Sequence, residues 1–284
     1  MGRHRKTAIG MVAWLGLSLA MPAGAGPLPR VVSLNPCLDA ILIRVADRAQ
    51  ILALSHYARQ AQTSDIAEEA ATYPITYETA EEVVALKPDL VLESGHSSAA
   101  TRSALARLGI RAAQLTVPDS VAESLAEVRQ IAVLVGHADR GEALVGRIEA
   151  ALAAAAAPPG STPVATLVFQ PNGFAAGSGT LLDEMLTRTG FRNVGDRYGI
   201  VQWGSVPLER VLADPPRLLL SDKASPGITS WADRVISHPA LASVSTVMKR
   251  GFFPERLLYC GGPVLIDTAA TLSAARRAYE ADGS

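Results

Sequence analysis

An α/β fold of two lobes, each built on a parallel sheet and joined by one long helix, is predicted by three features of this 284-residue chain. Apolar, β-branched runs alternate with helix-forming segments, the pattern that parallel strands with crossover helices produce. A helix–proline–strand unit occurs twice, as EEVVALKPDLVLES from Glu81 and LERVLADPPRLLLSD from Leu208, with Glu81 and Glu209 each seven residues ahead of Pro88 and Pro216. Between the copies lies IEAALAAAAA, as strong a helix former as the chain contains. Two distant copies indicate two lobes on one plan, since a solenoid needs several adjacent repeats.

The elements follow in order. Residues 1–25 read as a secretory signal peptide: GRHRK is the charged region, 7–20 the apolar region, and Ala23-Gly24-Ala25 the small-residue site, with cleavage expected before Gly26. The apolar run is shorter than the roughly 20 residues a spanning helix needs. No cysteine stands at the cleavage site to carry a lipid, so the expected location is the periplasm, untethered. In an N-terminal lobe over 26–135, RVVSL is a strand ended by Asn35-Pro36, and a helix follows over 38–45. Residues 51–55, 90–92 and 111–117 read as further strands, and 99–108 as a helix closed by Gly109. Helical periodicity runs through 119–135 and 137–157, and PPGSTP stops it, which places the connecting helix within 136–160. A C-terminal lobe over 161–284 begins with a strand at 164–169, a glycine turn at 177–179 and a helix at 181–188 stopped by Gly190.

Composition excludes several functions. With 26 basic and 27 acidic residues, scattered rather than striped, the chain offers no field for nucleic acid. There is no G-x-S-x-G elbow, P-loop or H-E-x-x-H, and GSGT at 177–180 lacks nucleophile spacing. The chain is therefore not expected to be an enzyme; an exported α/β hydrolase without a recognisable motif is the alternative. No short-spaced His/Cys cluster marks a zinc site, and no resident metal or cofactor is expected.

Ligands of such lobes sit beyond the carboxyl ends of the strands. That rule selects Pro36, Cys37, His56, Tyr57 and the loop 94–97 with His96 from the first lobe. From the second it selects 172–174 with Asn172 and Phe174, then Trp203, and the loop 256–262 with Arg256, Tyr259 and Cys260. Trp203 and Tyr57 offer faces for a planar ligand, and Arg256 a partner for an anionic edge. Trp203 plugging its lobe is the plainer alternative. His56, Tyr57, His96 and Tyr259 carry the donor types that bind haem iron. The two cysteines, one per lobe, are either a disulfide or two free thiols facing the ligand.

RVVSLNPCLDAIL as opening strand and cleft loop, the twice-used helix–proline–strand unit, the helical strut and LLDEMLTRTGFRNVGD together resemble the periplasmic substrate-binding proteins of ABC importers for cobalamin and ferric siderophores. The resemblance spans the mature chain and implies two Rossmann-like lobes with a ligand cleft between them. It implies a bound iron or cobalt chelate (ferric siderophore, corrinoid or haem), contacts at Cys37, Tyr57, Trp203 and 256–260, and a monomer that delivers to a permease dimer in the inner membrane. Aromatic residues are scarcer here than in the cobalamin binders of that family. The resemblance also places Glu81 and Glu209 where one glutamate per lobe docks onto permease arginines. Read from the sequence alone, Thr79 and Glu82 can form a Thr-x-x-Glu capping box, which leaves Glu81 spare, whereas Glu209 has no such box.

Overall fold

The computed structural model describes Gly2 and residues 26–95, 97–170, 173–223 and 237–282. Most of the expected signal peptide, His96 and Asn172 lie outside them. The first sheet is wholly parallel, in the order β3 (Ile75–Thr76), β2 (Ile51–Ser55), β1 (Val31–Ser33), β4 (Leu90–Ser94), β5 (Ala112–Leu115). The second contains β6 (Val164–Val168), β8 (Phe191–Asn193), β10 (Leu218–Ser221) and β11 (Lys249–Phe252), parallel in the order β11-β10-β6-β8. A separate antiparallel ribbon pairs β7 (Phe174–Ala176) with β9 (Trp203–Ser205). In both sheets the strand of the repeated unit, β4 or β10, lies directly beside the strand that opens its lobe, β1 or β6. The repeat thus records one strand plan used twice.

The helices are α1 (Pro36–Val45), α2 (Ala67–Ala70), α3 (Ala80–Ala85), α4 (Ala99–Arg107), α5 (Val121–Leu134), α6 (Ala138–Ala155), α7 (Leu181–Arg188), α8 (Leu208–Ala213), α9 (Ala240–Ser243) and α10 (Val264–Ala281). The central strands are buried on both faces and so read as unbroken apolar runs. Val31, Leu90, Leu92, Leu218 and Leu220 face one core that is continuous between the lobes. Their neighbours Val32 and Val91 face a second core under α3 and α4, and Leu219 faces a third in the C-terminal lobe. Each such buried side chain contributes about 1.5–3 kcal/mol.

The chain passes from the first sheet to the second through α5 and α6. The long helix does not stand alone: it packs on α5, on α10 and on α1. Gly141 lets α6 come close to α5, because a Cβ there would meet the Ala132 Cβ at 2.5 Å. The helix expected over 38–45 begins two residues earlier. Asn35 caps it, accepting hydrogen bonds from the backbone N–H groups of Cys37 and Leu38, and Pro36 needs no donor in the first turn. Cys37 is therefore held in a helix rather than a loop.

The expected capping box at 79–82 is only half formed. Thr79 accepts from the Glu82 N–H at 3.3 Å, but the Glu82 carboxylate reaches further back, to the Tyr77 N–H at 2.7 Å and the Thr76 hydroxyl at 2.8 Å.

Candidate ligand cleft

A cavity of about 480 Å³ lies between the lobes. Its N-terminal side carries Pro36 and Cys37 from α1, Tyr57 from the turn after β2, Ser94 at the end of β4, and Glu127 from α5. The C-terminal side is aromatic. Phe174 and Trp203, on neighbouring strands of the ribbon, are parallel to within 2° with ring centroids 5.5 Å apart. Tyr259 stands 6.4 Å from each. Trp203 is 38 % exposed, Tyr57 44 % and Tyr259 36 %, so these rings are surfaces and not lobe plugs. Rings at such spacing stack on each other, and together they present an apolar surface on which a flat ligand can lie.

Cys37 and Cys260 are bonded to each other, with Cα atoms 5.1 Å apart, and both line the cavity. The bond closes a loop of 223 residues and ties α1 to the C-terminal lobe. On the chain-entropy account a loop of that length gives about 5 kcal/mol. Three polar contacts run alongside it. The Gly262 N–H donates to the Ser124 hydroxyl at 2.6 Å, the Val121 N–H donates to Glu184 at 2.7 Å, and Arg256 pairs with Asp65 at 3.4 Å. Gly262 has φ +62°, a left-handed conformation that suits glycine, and a Cβ there would strike Ile41 at 2.6 Å.

Two residues selected from the sequence stand off the cavity wall. Arg256 turns to Asp65 and lines a separate hollow beside α10. His56 lies against Tyr57 with ring centroids 3.9 Å apart and planes tilted by 39°, and its Nδ1 is 3.7 Å from Glu78 without a hydrogen bond. The loops chosen by the strand-end rule reach the cavity, but side-chain direction within a loop follows local contacts, and Asp65 draws Arg256 away. Pro36, Cys37, Tyr57, Phe174, Trp203, Tyr259 and Cys260 all share the cavity.

The buried Ser55 hydroxyl donates to Glu78 at 2.6 Å, and no hydrogen bond joins it to the His56 imidazole. The Tyr259 hydroxyl donates to Glu255 at 2.9 Å. Burial, followed by the neighbouring Glu255 carboxylate, pushes that phenol far above its ordinary range.

Glu127 was not selected from the sequence. It is 7 % exposed, and desolvation alone pushes its carboxyl up to about 7. A raised pKa means that the folded chain holds this proton more tightly than the unfolded chain. The associated stability is complete below the unfolded-state value and is lost as pH rises through about 7.

A cleft of this kind, framed by two α/β lobes with a shared helical layer, defines a two-lobed ligand-capturing protein. Residues 31–253 match the periplasmic binding protein family, and the chain belongs to that family. Three solved structures show the same fold. The apo periplasmic haem-binding protein RhuT from Roseiflexus sp. RS-1 is 23 % identical, with 88 % of this chain and 99 % of that one covered at a TM-score of 0.68. The periplasmic vitamin B12-binding protein BtuF of Vibrio cholerae is 16 % identical, with 89 % and 98 % covered at 0.65. An ABC-type Fe3+-hydroxamate transport protein from Saccharomonospora viridis is 18 % identical, with 88 % and 94 % covered at 0.65. Comparison with curated proteins gave no match. Among the described residues no helix is long and apolar enough to cross a membrane, and no cluster of His, Cys, Asp or Glu could hold a metal ion.

Proposed function

We propose that this protein captures a metal chelate in the periplasm and delivers it to the permease of an ABC importer. The observation that carries this reading is the apolar cleft between the lobes, with Phe174, Trp203 and Tyr259 on one side and Tyr57 on the other. Family membership supports transport. The haem, vitamin B12 and Fe3+-hydroxamate proteins of the same fold support an iron or cobalt chelate as cargo. The chelate is held by stacking and apolar burial within this cleft.

Export removes residues 1–25, leaving a mature chain that starts at Gly26 and acts as a monomer. Residues 26–135 and 161–284 form the two lobes, and the helix within 136–160 couples them. Glu81 and Glu209 are the permease contacts. Both are exposed, both lie in the first turn of their helices, α3 and α8, and those helices precede equivalent strands. Two like carboxylates suit a two-fold symmetric partner whose arginines grip them bidentately.

Ligand-linked stabilisation tests the binding role. Adding cyanocobalamin, a ferric trihydroxamate or haemin separately to the mature protein should raise Tm for at least one of them, by about 2.7 kcal/mol of stability at a hundredfold excess over Kd. The chelate should be recovered chemically unchanged. Turnover of the chelate, or no stabilisation by any of the three, overturns the reading.

A further inference from the structure

Among the described residues Glu127 is the one carboxylate on the cavity wall, and no Lys, Arg or His lines that wall with it. It makes no hydrogen bond or ion pair with any described residue, although 93 % of its surface is covered (7 % exposed). Other acidic groups nearby are already engaged: Glu184 accepts from the Val121 N–H, Asp65 pairs with Arg256, and Glu255 accepts from Tyr259. The remaining polar residues of the wall, among them Asn35, Gln60, Thr63 and Thr116, are neutral. A buried carboxylate covered by an apolar ligand face, with no donor opposite, forfeits its remaining hydration. A carboxylate on the ligand would meet like charge with no cation to offset it.

We infer that Glu127 is the specificity-determining residue of the cleft. It accepts a hydrogen bond from an N–H donor on the rim of the chelate, so that neutral or cationic chelates with amide or amine rims enter and carboxylate-rimmed ones are rejected. The inference rests on the proposed capture of a metal chelate and adds the chemistry of its rim. Selection of this kind combines an attraction with a repulsion: the acceptor rewards the donor-bearing ligand, and its charge penalises the anionic one. Discrimination by an unmet buried polar group is stronger than discrimination by apolar shape alone.

The test uses two ligands that differ only at the rim, haemin with its two propionates and haemin bisamide, in which both are primary amides. Titrations of the mature protein are run at pH 8, where the Glu127 carboxyl, with its pKa of about 7, is ionised. Cyanocobalamin, which is neutral and amide-rimmed, is the third ligand. The wild type should bind the bisamide at least about tenfold more tightly than haemin. Glu127→Gln, which removes the charge and keeps the shape, should bring the ratio to within about threefold, chiefly through tighter haemin binding. Glu127→Leu, which removes the acceptor, should weaken the bisamide, or cyanocobalamin where that is the tighter ligand, by about tenfold. Melting curves at pH 8 check the fold, and Glu127→Gln should melt no lower than the wild type because it carries no buried charge. Haemin binding as tightly as the bisamide to the wild type, or a ratio unmoved by Glu127→Gln, overturns the inference and leaves chelate capture standing. Binding of none of the three overturns the inference, and overturns chelate capture as well where the ferric trihydroxamate also fails to stabilise the protein.

Discussion

Changing Glu81 and Glu209 together to alanine is expected to abolish uptake while leaving chelate affinity in solution within about twofold, since neither side chain touches the cleft. Both carboxylates are exposed, and neither makes a hydrogen bond or ion pair with a described residue. Their place near helix N-termini has a plainer account, because acidic residues in the first turn are stabilised by the helix dipole. That account fits the two helices unequally. α3 already has Thr79 as its cap, and α8 starts at Pro207 with no side-chain cap. A role in capping would give the two single variants different effects on stability and little effect on transport. A role in docking gives them similar effects on transport. Each charge-assisted contact contributes about 1.5–3 kcal/mol, so losing both should cost roughly two to four orders of magnitude in permease affinity. Uptake of a labelled chelate by cells carrying each variant, beside calorimetry on the purified proteins, separates these outcomes. Normal import by the double variant, or loss of its chelate binding, would show that the repeat serves folding alone.

The second large effect is expected at Trp203. Trp203→Ala should weaken chelate binding by about 1–3 kcal/mol, roughly five- to 150-fold, as the removal of an aromatic anchor does. Trp203→Phe should retain most of the affinity because it keeps a ring parallel to Phe174. The fold should tolerate both changes: Trp203 sits in β9, which pairs only with β7, and its ring is 38 % exposed. Circular dichroism checks this. Unchanged affinity in Trp203→Ala with the fold intact would remove stacking as the source of binding.

Much of the frame is legible in the sequence because the central strands are buried on both faces. Leu218-Leu219-Leu220 divides between two cores, with Leu219 facing opposite to its neighbours, and so shows no alternation at all. The β7–β9 ribbon is harder to read. Each of its strands has three residues, too few for a period-two pattern, and the pairing of Ala176 with Trp203 depends on a fold-level approach. The helix α10 carries no cap or motif that marks it in the sequence, and it buttresses the long connector.

Site residues divide by how far their position depends on the backbone. Phe174, Trp203 and Tyr259 reach the cavity because their strand or loop ends there. Arg256 has a long, flexible side chain, and Asp65 lies near enough to take it away from the cleft. Glu127 could have been found. It falls within the stripe of α5 that carries Ser124, Val128 and Ile131, all buried, and a carboxylate in a buried stripe requires a reason. The disulfide could not be derived from spacing, since Cys37 and Cys260 meet only when both lobes are assembled.

The most direct test of chelate capture is the visible absorption spectrum and metal content of the protein purified from its own periplasm under iron and cobalt limitation. Chelate capture predicts a ligand-derived visible band that co-elutes with the protein, disappears from the protein fraction on unfolding, and accompanies up to about one iron or cobalt per chain. Protein that carries an organic ligand free of iron and cobalt, and gains no stability from any added chelate, would contradict it.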